Sequence, residues 1–208
     1  MHFLITAGGT KEYIDPVRFI SNASSGKMGY ALAGSALKAG HKVTLITAET
    51  NLKKPQNAKV IKVVNARDMF LAVKNNFDDC DCLIMAAAVS DYTVDKNKTK
   101  IKKNSSDLTL QLKPTKDILK WASNHKKSQL LAGFALEDRQ LRKRAEEKLI
   151  EKKLDMIVAN RPAVIGSQRS TVEIKVPNRD WLKIENSAKS SIANKIIKLI
   201  TEQISRQI

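Results

Sequence analysis

Two clusters of small residues near the start of the chain could hold an anion. Gly8-Gly9-Thr10 follows a short apolar run, and Ser24-Ser25-Gly26-Lys27-Met28-Gly29 opens a stretch whose apolar residues recur at helical spacing. Backbone N–H groups at a helix start, the positive end of its dipole and nearby serine hydroxyls together suit a phosphate. The pattern is not a Walker A loop, because Met28 follows Lys27. Nor is it a tight dinucleotide fingerprint, because some 15 residues separate the two glycine clusters. An N-capped helix after a glycine turn would use the same residues. Further along, Asp91 stands just past the run Ala86-Ala87-Ala88-Val89-Ser90, and Lys148 and Lys152 are four residues apart. Like charges at that spacing repel modestly on a helix unless an anion lies between them, and a solvated lysine face is the plain alternative. Cys80 and Cys82 fall short of a zinc site, with His2, His41 and His125 scattered. Period-2 alternation points the two thiols to opposite faces of a strand, so they should not bridge.

Alternating strands and helices must position these residues. His2–Thr6 reads as a buried strand feeding the glycine turn, and a loop follows it. Lys27–Lys38 reads as a helix closed by Gly40. The strand pattern returns at His41–Thr47 and Lys59–Val64, and a helix at Ala66–Phe77. Cys82–Val89 is continuously apolar, as a strand covered on both faces should be. Residues 90–106 hold five lysines and, after Val94, Ile101 as their one apolar side chain, which suggests a flap. Asp107–Leu112 alternates as a strand, Thr115–Ser123 suits a helix, Gln129–Leu136 a strand and Asp138–Lys153 a charged helix. Leu154–Ala159 is strand-like, Thr171–Val176 and Trp181–Ile184 could pair antiparallel, and Ser187–Ile204 is amphipathic. The expected architecture is α/β and Rossmann-like: a mostly parallel sheet with helices on both faces, C-terminal antiparallel strands and a lysine-rich flap. Its ligand crevice belongs at the carboxyl ends of the strands.

Composition bounds the rest. At 208 residues, 42% hydrophobic and 28% charged, the chain fits one globular domain spanning 1–208. No apolar run approaches the roughly 20 residues that cross a bilayer, and the start lacks a basic leader, so the reading is cytoplasmic, without a membrane partner. The charge of +16 is uneven: residues 1–95 hold 11 basic and 9 acidic side chains, and residues 96–208 the remaining 26 and 12. Such a field attracts polyanions. Yet aromatics are only 5%, with no lysine or arginine stretch interleaved with rings for base stacking, so nucleic acid is not the expected partner.

Five ordered motifs carry a family resemblance. Ile5-Thr6-Ala7-Gly8-Gly9-Thr10, then Asp15-Pro16-Val17-Arg18-Phe19-Ile20-Ser21-Asn22, then Ser24 to Gly29 resemble the opening of the phosphopantothenoylcysteine synthetase (phosphopantothenate–cysteine ligase) family. Ala86-Ala87-Ala88-Val89-Ser90-Asp91-Tyr92 resembles its A-A-V-x-D-Y strand end, Lys100-Ile101-Lys102-Lys103 its K-I-K-K flap, and Gly133-Phe134-Ala135-Leu136-Glu137 its G-F-A-x-E strand. Lys148, Lys152, Leu154, Asp155 and Asn160 match its K-x-x-x-K, L-D and A-N positions. Pro114-Thr115-Lys116-Asp117-Ile118-Leu119 departs from the usual K-T/N-P-D-I-L by carrying lysine where the family has proline, and Leu136 replaces a common alanine. Residues 161–208 match only loosely.

The resemblance implies a two-step ligation in coenzyme A biosynthesis. The 4'-phosphopantothenate carboxylate attacks the α-phosphate of CTP, with Mg2+ as cofactor, and the amine of L-cysteine then displaces CMP. It implies Asn22 and Lys100 as catalytic residues. For nucleotide binding it implies Gly9, Ser24, Ser25, Gly26, Lys27, Met28, Ala86, Ala87, Ala88, Asp91, Lys116, Asp117, Ile118, Leu119, Phe134, Lys148 and Lys152. It assigns no metal ligands. It further implies a homodimer and a flavin-dependent decarboxylase, fused or separate; because Met1 directly precedes the first strand, a stand-alone synthetase or an excised domain is expected. Two rivals stand beside it: a nucleic-acid-binding domain, prompted by the charge, and a nicotinamide-dependent Rossmann oxidoreductase. For the second, Glu49 follows Gly29 by 20 residues, as a ribose-binding acid would.

Overall fold

The computed structural model describes residues 1–103, 107–162 and 167–204. Its chain order is β1 (His2–Ala7), β2 (Lys11–Tyr13), β3 (Phe19–Ser21), α1 (Lys27–Lys38), β4 (Lys42–Thr47), β5 (Lys59–Lys62), α2 (Ala66–Asn76), β6 (Cys82–Met85), β7 (Tyr92–Val94), β8 (Leu112–Pro114), α3 (Ile118–His125), β9 (Leu130–Leu136), α4 (Leu141–Glu151), β10 (Met156–Asn160), β11 (Arg169–Lys175), β12 (Leu182–Ala188) and α5 (Lys189–Ile204). The eight-stranded sheet runs β12-β11-β10-β9-β6-β1-β4-β5. Strands β10 through β5 of that order are parallel, and β11 and β12 join antiparallel at one edge. The α/β, Rossmann-like expectation with a C-terminal antiparallel pair therefore stands.

Alternation along the parallel strands divides the apolar residues between two faces. Phe3 and Ile5 of β1 pack with Leu32, Ala33 and Ala36 of α1 and with Ile192, Ala193, Ile196 and Ile200 of α5. Leu4, one residue out of phase, packs with Met69, Phe70 and Val73 of α2, Ile118 and Leu119 of α3, and Ala145 and Leu149 of α4. Cys82 belongs to the first layer and Cys80 to the second, and both are free thiols, as the spacing required. From β1 the chain winds outward through β4 and β5, then returns to β6 on the other side. The topological switch thus lies between β1 and β6, whose carboxyl ends carry the glycine turn and the alanine run.

The structure corrects several expectations. The segment after β1 is not a plain loop but a hairpin, β2 against β3, followed by Asn22 to Gly26. Strand β6 ends at Met85 and does not continue to Val89: Ala87 N–H donates to Thr6 Oγ1, Ala88 N–H to the Gly8 carbonyl, and the Ala88 carbonyl accepts from Thr10 N–H. Backbone groups of the alanine run thereby bond the glycine turn. Asp107–Leu112 is not a strand, because its alternating leucines have no sheet to cover: Leu108 and Leu112 are exposed. Pairing begins only at β8, which meets β7 within the region expected to be a flap. Three helices start later than expected, α3 at Ile118, α4 at Leu141 and α5 at Lys189. At the first, Asp117 caps the helix by accepting from Lys120 N–H. Residues 104–106 of the flap, residues 163–166 and residues 205–208 of the expected single domain lie outside the described residues.

Candidate active site at the sheet switch point

Two adjoining cavities open at the carboxyl ends of β1, β6, β9 and β10. The larger, about 490 Å³, is lined by Asn22 through Met28, Ala86 through Val89, Asp91, Phe134, Leu136, Lys148, Asn160, Ser170 and Lys189. The smaller, about 170 Å³, is lined by Met85, Ala87, Val89 to Asp91, Thr115 to Leu119, Phe134, Lys148 and Lys152. Ala87, Val89, Asp91, Phe134 and Lys148 belong to both, so the cavities share a wall.

The start of α1 forms one side of the larger cavity. Its N-cap, Gly26, is left-handed at φ 73° and makes no side-chain cap bond, and the positive end of the helix dipole faces the cavity. Glycine is required twice here. A Cβ at Gly26 would lie 2.7 Å from Thr50 Cγ2, and one at Gly29 would lie 2.5 Å from Ala7 Cβ and 2.8 Å from the Thr6 carbonyl oxygen, which fixes how closely α1 approaches β1. Asn22 is not a helix cap: its amide donates to the carbonyls of Ala88 (3.3 Å) and Val89 (3.2 Å), clamping the alanine run. Gly9 stands behind this loop, paired with Ala88, where a Cβ would meet the Asn22 carbonyl oxygen at 2.6 Å.

The opposite side is built from β9, α3 and α4. Lys148, half-buried, donates to the Phe134 carbonyl at 2.8 Å. Burial, and then the neighbouring Lys152 ammonium, hold its pKa below the ordinary lysine value. Lys152 donates to Asp117 Oδ2 at 2.6 Å. Burial pushes the Asp117 carboxyl up, but Lys152 and the Lys120 N–H outweigh it, leaving the carboxyl below its usual range. The spacing expected to bracket an anion therefore gives two unlike lysines, one on a carbonyl and one on the capping aspartate. Ile118 and Leu119 are buried at the cavity floor, and Lys116, in the proline's place, lies over the Phe70 ring at 4.9 Å.

Lys100 lines neither cavity and is exposed. Its neighbour Ile101 is tied down, with N–H donating to Asp15 Oδ2 (3.2 Å) and carbonyl accepting from Arg18 (2.7 Å). Asp15 is buried, and the Arg18 guanidinium holds its carboxyl well below the usual carboxylate range. This Asp15–Arg18 anchor was missed by sequence reasoning, although both residues lie in the first motif. Also missed were Asn160, Ser170 and Lys189 of the larger cavity. Glu49, the ribose-binding acid of the oxidoreductase reading, is paired with Lys11 and lines neither cavity. Burial, then Asp81, pushes the Cys80 thiol up to about 12, so it is no nucleophile at neutral pH. Among the described residues no three His, Cys, Asp or Glu side chains cluster to hold a metal, and no helix is long and apolar enough to cross a membrane.

Comparison with known proteins gives a consistent result. The model of the DNA/pantothenate metabolism flavoprotein C-terminal domain matches residues 1–204. A coenzyme A biosynthesis bifunctional protein CoaBC of Bacillus subtilis (strain 168) is 48% identical over 164 residues, 76% of this chain and 40% of that protein. A cysteine/cysteine sulfinic acid decarboxylase from an unknown prokaryotic organism is 41% identical over 203 residues, 94% of this chain and 56% of that one. The crystal structure of the C-terminal domain of CoaBC has a TM-score of 0.85 at 36% identity, covering 99% of this chain and 96% of that one. The chain spans about half the length of the curated relatives it matches.

Proposed function

The chain belongs to the family of the DNA/pantothenate metabolism flavoprotein C-terminal domain, and on that premise we propose that it is a phosphopantothenate–cysteine ligase that works through an acyl-cytidylate. The observation that carries the reading is the uncapped start of α1 facing, across one continuous cavity, the Phe134 and Lys148 wall. A carboxylate is inert to amines at neutral pH and must first gain a leaving group. Two adjoining cavities with converging N–H groups and cations suit a nucleotide and a second anionic substrate held together.

In the proposed first step a carboxylate oxygen of 4'-phosphopantothenate attacks the α-phosphorus of CTP. The new P–O bond forms as the bond to the β-phosphate breaks, and pyrophosphate leaves. In the second step the amine of L-cysteine attacks the acyl carbon, loses a proton and expels CMP. The α1 N–H groups and Lys27 would hold the phosphates, and Phe134, Lys148 and the Asp117–Lys152 pair would bound the nucleoside side. Asn22, by clamping the Ala88 and Val89 carbonyls, would fix the wall against which the anhydride forms. Lys100 would be brought over the site by the segment anchored on Asp15 and Arg18, adding positive charge during acyl transfer. Mg2+, when bound, would draw charge from the departing pyrophosphate. Asp91, the carboxylate common to both cavities, suits that hard cation alongside phosphate oxygens and water.

A homodimer fits the apolar side chains exposed on the two hairpins, Val17, Phe19, Tyr92 and Leu112. A flavin-dependent decarboxylase, fused or separate, would consume the product; one longer relative is named a cysteine/cysteine sulfinic acid decarboxylase. The test is product identification with 4'-phosphopantothenate, L-cysteine and Mg2+ in parallel reactions with CTP and ATP. Formation of 4'-phosphopantothenoylcysteine, CMP and pyrophosphate supports the reading, and no condensation with either nucleotide overturns it.

A further inference from the structure

The larger cavity is also lined by Ser170 and Lys189, which lie outside the sequence motifs. Lys27 is the first residue of α1 and Lys189 the first of α5, and both line the cavity. The two helices pack side by side through Ala33, Ala36, Ile192 and Ile196, so their positive ends converge there. Neither helix has an acidic residue in its first turn. Two lysines at the positive ends of neighbouring dipoles make this corner of the cavity strongly positive, which favours an anionic guest. Their proximity registers on Lys189, whose ammonium is held below the ordinary lysine value by burial and then by Lys27.

Ser170 of β11 supplies an independent sign. It is 3% exposed and lines the same cavity, and its hydroxyl has no hydrogen-bond partner among the described residues. A buried hydroxyl left unpaired is rare in a native fold, and here it leaves a donor open to a guest in the cavity. Asp91 is the one carboxylate among the described lining residues, against Lys27, Lys148 and Lys189. The guest best matched to adjacent cations and a hydroxyl donor is one carrying several negative charges on phosphate oxygens.

We propose that the Lys189 ammonium and the Ser170 hydroxyl form a phosphate subsite that seats the distal, pyrophosphate half of the nucleoside triphosphate. The subsite rests on the nucleotide reading above and extends it to residues that the motifs leave unassigned. It lies across the cavity from the Phe134 and Lys148 wall, so a triphosphate would span the two. Holding the β- and γ-phosphates there stabilises the charge that develops as the bond to the α-phosphate breaks.

The experiment is calorimetric binding of inorganic pyrophosphate, CTP, CMP and 4'-phosphopantothenate to the wild type and to Lys189→Ala, Lys189→Arg and Ser170→Ala, with melting temperatures alongside. Lys189→Ala should weaken pyrophosphate and CTP about tenfold, the scale of one charge-assisted hydrogen bond, and leave CMP and 4'-phosphopantothenate unchanged. Lys189→Arg should restore most of the loss, and Ser170→Ala should show a smaller one. Unchanged pyrophosphate affinity in Lys189→Ala overturns the subsite, as does a wild type that does not bind pyrophosphate. A loss confined to 4'-phosphopantothenate also overturns it, by assigning these groups to the phosphate of the other substrate. A wild type that binds pyrophosphate in this pattern yet makes no ligated product leaves the subsite standing and removes the ligase reading.

Discussion

The close approach of α1 to β1 at Gly29 gives a sharp test of how the helix is placed. A methyl group added at Gly29 would sit 2.5 Å from Ala7 Cβ and 2.8 Å from the Thr6 carbonyl oxygen, neither of which can rotate away. Overpacking of this kind costs about 1–3 kcal/mol, and contact with a rigid strand puts Gly29→Ala near the upper end. Replacing glycine by alanine in the first turn returns at most about 1 kcal/mol of helix propensity. The net loss is about 2 kcal/mol, or about 4–8 °C in melting temperature for a domain of this size. Gly34 on the same helix is the internal control, because an added Cβ there meets nothing within 4 Å. Gly34→Ala should therefore raise the melting temperature by about 2–4 °C. Moving α1 off β1 also moves its first-turn N–H groups, so Gly29→Ala should raise the KM for CTP while Gly34→Ala leaves it unchanged. Thermal melts and initial rates on both variants decide it. A Gly29→Ala protein as stable as the wild type would refute the close-approach reasoning, whatever its activity.

The two lysine sites should separate kinetically. Lys100→Ala should lower turnover with little change in KM for CTP, whereas Lys148→Ala should mainly raise that KM, and the reverse pattern would exchange their roles. Asp15→Asn should reproduce the Lys100→Ala turnover defect, because the carboxylate anchors Ile101 and Arg18; unchanged turnover would detach the anchor from the flap. Asn22→Asp should slow ligation more than Asn22→Ala, because a carboxylate facing the Ala88 and Val89 carbonyls adds repulsion to the lost donor, and near-normal ligation by Asn22→Asp contradicts this. The Asp15 and Asp117 carboxyls are held below their unfolded values, so their stabilisation is present above about pH 4 and is lost as pH falls below it. The melting temperature should fall as pH is lowered below about 4, less steeply in Asp15→Asn, and an equal slope in that variant would contradict the assignment.

What the sequence disclosed depended on how local the cause was. Helix α1 was legible to its bounds because Gly26 and Gly40 bracket a clean apolar face, and the faces of Cys80 and Cys82 followed from spacing alone. The hairpin of β2 and β3 escaped because three-residue strands have no measurable period. It is set instead by side chains reaching far along the chain: Glu12 accepts from Ala66 N–H and from Thr93 Oγ1. The alanine run at 86–88 looked like strand because hydrophobicity cannot distinguish a ladder from a backbone that bonds a glycine turn. Among site residues, Asn22, Asp91, Phe134 and Lys148 were found because they sit in motifs at strand or helix ends. Ser170 and Lys189 were not, because they reach the cavity only through β11 running antiparallel beside β10 and α5 packing beside α1.

The central claim is that the carboxylate is activated on the α-phosphate. It is tested most directly by following its oxygen: 4'-phosphopantothenate labelled with ¹⁸O in the carboxylate is converted with CTP, Mg2+ and L-cysteine, and the phosphorus-containing products are read by mass spectrometry. Attack on the α-phosphorus leaves one labelled oxygen in CMP and none in pyrophosphate. Label in inorganic phosphate accompanied by CDP would mean activation at the γ-phosphate and would contradict the account.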